Sequence, residues 1–374
     1  MSELGLVVIW PRHLKHVDAI TRELKDRFII IEHYDIQWNK EIFYQNFYRF
    51  YGDRLSTKSV KEKADDDSEF RLIVFKDTNP KYAFRPTARG VEQVNMNFFD
   101  LKKSFRREFN TRFGIHGSND EIETNRDLSL LLGINLQDYK KQHNKEWSGE
   151  VTKIKRDITG AYGWKSLEHF FYFINAVEPY LILRNYNDLS KDLEAIDDID
   201  FLVTNREKFS LFSNAVKMSK GTERANYKIT IDGKDIDIDL RYIGDNYFDR
   251  FWQKDCMTKR VLHSKGFYVM DNENQYFSLL YHALIHKIKI PDKYKDFSRL
   301  TSNELQTKLY EFMYEKEYCM VEPKDITLNF NKDNGGDIKF SRPRRLRKKK
   351  GIVGFIKKLL YRLNNLIHFR RGPA

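Results

Sequence analysis

The sequence predicts an α+β protein made of two successive units, and three observations lead there. Strand-like apolar runs alternate with helix-spaced ones in two blocks, the pattern of mixed layers rather than of a helical bundle. A polar stretch carrying Gly149 and Gly160 separates the blocks at about residues 140–160. The 374 residues, 41% apolar with 28 Phe and 21 Tyr, are enough for two cores and too hydrophobic for disorder. The units are expected at 1–140 and 150–330, followed by an amphipathic helix at 342–371.

The first block opens with LGLVVIW (4–10), an apolar strand that ends at Pro11. Val17, Ile20, Leu24 and Phe28 share one helix face, and FIIIEHYDI (28–36) is β-branched and strand-like. A polar, acidic loop is expected at 61–68, a strand at FRLIVFKD (70–77), and helices at 98–109 and 127–132. In the second block, 167–177 is helical, YLILRNY (180–186) and IDFLV (199–203) are strands, and 207–216 is a helix. Residues 227–244 read as a hairpin turning at Asp232-Gly233, since Asp-Gly supplies the positive φ angles of a tight turn. A helix follows at 272–287 with Asn272 as its cap, then a polar linker at 324–344.

Charge is concentrated at one end. The 12 basic residues of 342–371, with no acid among them, equal the whole excess of basic over acidic residues (66 against 54). Residues 1–341 are therefore formally neutral, and nothing points to a DNA-binding groove on the body. No run approaches the ~18 apolar residues of a membrane span. The N-terminus lacks a basic region and cleavage site, and Cys256 and Cys319 make no disulfide framework, so a cytoplasmic protein with reduced thiols is expected. Within the tail, Ile352, Phe355, Ile356, Leu359, Leu363, Leu366 and Ile367 form one apolar helix face flanked by Lys357, Lys358 and Arg362. A basic amphipathic helix of this kind lies on an anionic membrane, here the inner face of the cell membrane. Docking on a partner chain or binding RNA are the alternatives.

The pair DDIDFLV (197–203) and KDIDIDLRYI (234–243) carries the chemistry. Side chains alternate along a strand, so Asp198 and Asp200 share one face, and Asp235, Asp237 and Asp239 share another. Clustered carboxylates repel unless they are solvated or a cation sits among them, and hard divalent cations prefer such oxygens. A sheet with one wet, acidic face is the plainer reading. The arrangement resembles the nucleotidyltransferase superfamily of the DNA polymerase β type over roughly residues 165–290. That resemblance implies a mixed α/β domain in which Asp198, Asp200 and Asp239 hold Mg²⁺ or Mn²⁺, with Asp237 as the alternative third ligand. The family's Gly-Ser motif is absent. LRNYNDL stands in its place, and Arg184, Asn185 and Arg241 are the candidate contacts for donor phosphates. His282 and His286, four apart on one helix face, have a metal-compatible spacing but no HExxH glutamate and no third ligand nearby. They read as substrate-facing or structural.

GLVVIWPRHLKHVDAITRELKDRFIII (5–31), FRLIVFKD (70–77), FRPTARG (84–90) and IHGSNDEIETNRDL (115–128) follow one another in an order that resembles nucleoside diphosphate kinase. The resemblance implies a ferredoxin-like α/β sandwich over about residues 5–132. His116 takes the place of the family's phosphoryl-carrying histidine, and Glu123 lies near its acid. Trp10, Asn119 and Phe113 replace the family's Lys, Asp and Asn, so kinase activity is not expected. His116 with Arg85, Arg89 and Arg112 is expected to line a polyanion pocket, or else His116 caps a turn in a docking domain.

Taken together, the resemblances imply a metal-dependent transferase that takes a nucleotide-activated donor and a lipid-linked glycan acceptor, and works in cell-surface glycan assembly at the membrane surface. The alternatives are a nucleotidyltransferase adding NMP to RNA, protein or a small molecule, and a non-catalytic nucleotide-binding scaffold.

Overall fold

The computed structural model describes residues 2–53, 68–87, 90–111, 114–186, 189, 193–219, 225–287, 297 and 300–331. The expectations for Arg89, Arg112, Phe113, the 342–371 tail and most of the 61–68 loop fall outside the described residues. The architecture is mixed α/β, with α-helices packed on two larger sheets.

The first sheet has the order β6-β1-β3-β2-β7. Its strands are β1 (Glu3–Ile9), β2 (Ile29–Gln37), β3 (Glu69–Asp77), β6 (Ile115–Gly117) and β7 (Val151–Lys155). A separate hairpin, β4 (Tyr82–Thr87) with β5 (Gly90–Asn95), projects beside it. The apolar run of β1 is continuous because both its faces are covered. Val7 and Ile9 pack with Ile20 and Leu24 of α1 (Val17–Arg27) and with Phe98, Leu101 and Phe105 of α3 (Met96–Glu108). Leu4, Leu6 and Val8 face the other way, onto Phe47 and Phe50 of α2 (Phe43–Tyr51) and Leu128 and Leu131 of α4 (Glu121–Leu132).

The sequence boundary needs correction. Residues 151–155, expected in the second unit, form β7 and pair in parallel with β2, so the first sheet closes beyond the expected break. Between them, α5 (Leu136–Gln142) buries Leu136 and Tyr139. Edge strand β7 is polar and only partly covered, which is why no apolar signal announced it.

The second sheet runs β10-β11-β12-β9-β8-β14-β13. Its central members are β8 (Tyr180–Ile182), β9 (Asp198–Val203), β11 (Asn226–Ile231) and β12 (Lys234–Tyr242), with β10 (Val216–Lys217), β13 (Val261–Leu262) and β14 (Tyr268–Val269) toward the edges. The β11–β12 hairpin turns at Asp232 and Gly233, both with positive φ (50° and 74°), as the Asp-Gly pair predicts. One face is covered by α6 (Leu167–Val177) and α7 (Arg206–Ser213), whose Phe170, Phe173 and Phe209 join the core of the first sheet. The opposite face holds a second core around Leu181, Leu202, Trp252 and Leu280, built with α8 (Arg250–Thr258), α9 (Asn272–Tyr281) and α10 (Ser302–Glu315).

Two local readings change. The cap of α9 is Asp271, whose side chain accepts the Asn274 N–H, and Asn272 is the first helical residue. Residues 324–331, expected in a linker, pack against the second core: Lys324 N–H donates to Asp245 O and Asn331 N–H to Ile285 O.

Candidate metal centre

The acidic site arises from the pairing of β9 with β12. These strands run parallel with Asp198 opposite Asp237 and Asp200 opposite Asp239. Ile199, Phe201, Ile238 and Leu240 are buried on the far face, so the aspartates are forced to a common side. One carboxylate oxygen each from Asp198, Asp200 and Asp239 lie within 4.8 Å of one another. A hard dication with bonds of ~2.1–2.5 Å spans such a set, and all three donors are carboxylate oxygens, so the residues fit Mg²⁺ or Mn²⁺. Asp237 is exposed, outside this group, with its carboxylate 3.9 Å from Lys228 Nζ.

Burial is graded across the triad: Asp198 is exposed, Asp239 half-buried and Asp200 buried. Burial, reinforced by the charges of Asp198 and Asp239, pushes the Asp200 acid up to about 6 against the opposing pull of Arg184. Arg184 follows β8, just before Asn185, which takes the left-handed conformation (φ 57°). Its Nη2 donates to Asp200 Oδ1 at 2.6 Å, and its Nη1 to the Tyr247 hydroxyl at 2.5 Å. Arg241 donates to Asp239 Oδ2 at 3.3 Å and to Asp325 Oδ2 at 2.8 Å. Both guanidiniums lie over the Tyr247 ring, 5.8 Å and 4.8 Å from its centre.

His282 and His286 are buried against this tyrosine. The Tyr247 hydroxyl and His282 Nδ1 are 2.7 Å apart, and the His286 ring centre is 4.5 Å from that of Tyr247. Burial, reinforced by the two nearby arginines, holds both imidazoles well below their usual range and hence neutral, His286 at about 3. The helix widens into a π-turn across His282–His286, and both rings lie against Tyr247. Tyr247 and Asp325 were missed from sequence. Asp325 lies 84 residues from its partner Arg241, and no short spacing connects them.

His116 belongs to a different place, on β6 of the first sheet. Its Nε2 lies 2.6 Å from Oδ2 of fully buried Asp127, whose other oxygen accepts from Arg126. His116 lines a cleft of about 1500 Å³ with Arg85, Lys102, Lys103, Arg106 and Arg126, together with acids such as Glu92, Asp120 and Glu123, and Lys208 and Phe212 of α7 also line it. Lys102 is only 9% exposed and donates to the neutral amide oxygen of Asn119. Burial pushes its ammonium down to about 8. Trp10 is fully buried among Trp38, Phe47 and Phe70, with its indole N–H on Tyr51, so it is a core residue rather than part of the cleft wall.

Of the expected site residues, then, Asp198, Asp200, Asp239, Arg184 and Arg241 converge, Asn185 adjoins them in sequence, and His116 stands apart. Among the described residues, no helix is long and apolar enough to cross a membrane. Compared with protein-family models, with curated proteins and with solved structures, the chain matches none.

Proposed function

We propose that the protein is a metal-dependent transferase that uses a nucleotide-activated donor in cell-surface glycan assembly at the membrane surface. The observation that carries this reading is the triad: three carboxylates on parallel neighbours, two of them already partnered by Arg184 and Arg241. A dication bound there would supply charge neutralisation for a diphosphate and so ease departure of the nucleotide leaving group. Asp198, Asp200 and Asp239 would hold it. Arg184 and Arg241 are forked donors suited to phosphate oxygens. Asp198, the exposed member, would take the proton from an acceptor hydroxyl in this reading. The strand order β6-β1-β3-β2, with α1 and α3 on one face, supports the ferredoxin-like reading of the first unit. Its His116 cleft is proposed to hold a phosphate-bearing ligand, because buried Lys102, among the described residues, bonds to an amide and not to a carboxylate. The basic tail would bring the enzyme to a lipid-linked acceptor.

Incubation of the full chain with labelled nucleotide-sugars and nucleotide-alditols, Mg²⁺ and a membrane extract tests this. Label entering the lipid fraction, lost with EDTA, is expected. Transfer from an NTP alone would select a nucleotidyltransferase, and no binding of any nucleotide would select a scaffold.

A further inference from the structure

Arg241 sits between two carboxylates, and the contacts are unequal. The bond to Asp325, at 2.8 Å, has the length of a strong charge-assisted bond, whereas that to Asp239, at 3.3 Å, is longer than such bonds run. Arg241 and Asp325 are both 5% exposed. Asp325 is itself fixed, since its Oδ1 accepts the Thr327 N–H at 3.0 Å and the Thr327 hydroxyl at 2.7 Å. The segment around it is docked at Asp245 and Ile285, so the anchor is part of the folded body. Among the described residues, Arg241 Nε has no hydrogen-bond partner, and the fork is oriented by Asp325, Asp239 and the Tyr247 ring. Of the other acids near it, Asp245 is occupied by the N–H groups of Tyr242 and Tyr247 and by Gln253, and Asp200 by Arg184.

We infer that Asp325 is a positioning residue of the triad: it draws Arg241 away from Asp239 and so leaves that carboxylate open to a cation. The inference rests on the metal reading of the triad. Without the Asp325 charge, Asp239 is the carboxylate to which Arg241 is already bonded. A guanidinium closing on both its oxygens would compete directly with a dication. Asp325 touches neither metal nor substrate in this scheme. It acts through Arg241, as residues behind a metal ligand commonly do.

The test is Mn²⁺ titration of the full chain followed by electron paramagnetic resonance, in wild type, Asp325→Asn, Arg241→Met and the double variant, with melting temperatures alongside. Asp325→Asn is expected to weaken Mn²⁺ binding about tenfold or more, in the range typical of partners behind a ligand. Arg241→Met added to it should restore the affinity, because the competing cation is gone. A purely structural role for Asp325 would lower the melting temperature and would not be rescued by a second core substitution. If Asp325→Asn does not fold, Thr327→Val, which loosens Asp325 while keeping its charge, should still weaken Mn²⁺ binding. Wild-type affinity in Asp325→Asn, or in Thr327→Val where that variant stands in, overturns the inference alone, as does a double variant no tighter than the single. No Mn²⁺ binding by wild type overturns the metal reading and this inference with it.

Discussion

Asp200 and Asp239 stand directly opposite each other on the parallel strands β9 and β12, and each is partnered by its own guanidinium, Arg184 for the first and Arg241 for the second. Two like charges in register would repel. The arginines offset that repulsion in the metal-free protein, and they do so from loops and strands that also carry the candidate phosphate contacts. On the proposed reading, stability and ligand recognition therefore draw on the same few side chains.

The first prediction follows from Asp200. Its folded acid titrates at about 6, above the ~3.9 of an unfolded Asp, chiefly because it is buried. Between those values the folded state holds a proton that the unfolded state has lost, so this group makes stability fall as pH rises from about 4 to 6. The cost is fully present above that window and is at most ~3 kcal/mol. Asp200→Asn should remove this slope while abolishing the rise in melting temperature that Mg²⁺ gives wild type at pH 7.5. Thermal melts at several pH values, with and without Mg²⁺, check both. A Mg²⁺ shift that survives in Asp200→Asn would take this residue out of the metal set.

The second concerns Arg49 on α2. It is 4% exposed and donates to three carbonyls, those of Thr159, Leu211 and Phe212, the last two in α7 of the second unit. Among the described residues this buried cation bonds only to carbonyls, so it is held by the geometry of both units at once. Arg49→Met should lower unfolding free energy by ~2–4 kcal/mol, since it strands several buried acceptors. Because Arg49 and the shared core join the units, urea unfolding of the wild type should be one transition. Two separated transitions would show that the units fold independently.

How far the site could be read from sequence depended on the range of the interactions. Alternation along a strand put Asp198 with Asp200 and Asp239 with Asp235 and Asp237, because the period of two is set by backbone geometry, whereas Asp239 was joined to the first pair only through the family resemblance. The Asp232-Gly233 turn was legible for the same local reason. Helical spacing placed His282 and His286 on one face, yet it could not say that this face meets Tyr247 and the core. Trp10 looked like a lost phosphate contact and is a packed core aromatic. The partnership of Arg241 with Asp325 spans 84 residues and left no trace in any spacing. Strand β7, polar at a sheet edge, has no apolar alternation to betray it.

The third prediction addresses the His116 cleft. Burial lowers Lys102 to about 8, below the ~10.4 of an unfolded lysine. Its buried charge therefore costs stability below pH 8, and the cost is relieved as pH rises toward 10. Lys102→Met should raise the melting temperature at pH 7. The same change should remove the stabilisation that a phosphate-bearing ligand such as a nucleoside diphosphate gives through the cleft. In wild type that stabilisation should fade as pH rises through about 8, when the ammonium loses its proton. Ligand-induced melting shifts that are equal in wild type and Lys102→Met would place the phosphate elsewhere. His116 is held by Asp127 and no phosphoenzyme is expected, so labelled ATP should leave no acid-labile label on wild type that His116→Ala loses.

The last prediction concerns residues 342–371, which lie outside the described residues, and it is argued from their sequence alone. The body is formally neutral through residue 341, so attraction to an anionic surface must come from the 12 basic residues beyond it. Seven apolar residues between Ile352 and Ile367 fall on one helical face, and a stripe of that kind is stable in water only when an interface covers it. Cutting the chain after Phe340 should therefore leave a folded protein with the wild-type melting temperature and an intact Mg²⁺ response, since the triad and Asp325 all precede the cut. That truncated chain should no longer sediment with vesicles containing phosphatidylglycerol, whereas the full chain should. Full-chain binding should weaken as salt rises, because exposed charges are screened beyond ~8 Å at physiological ionic strength. Leu359→Asp with Leu363→Asp should release the protein even at low salt, because each Lys or Arg contributes only ~1 kcal/mol and the apolar face must add to them. Sedimentation of the truncated chain would move the membrane contact onto the body. A melting temperature lowered by several degrees on truncation would mean that the tail packs against the folded units, and the membrane role would lose its basis.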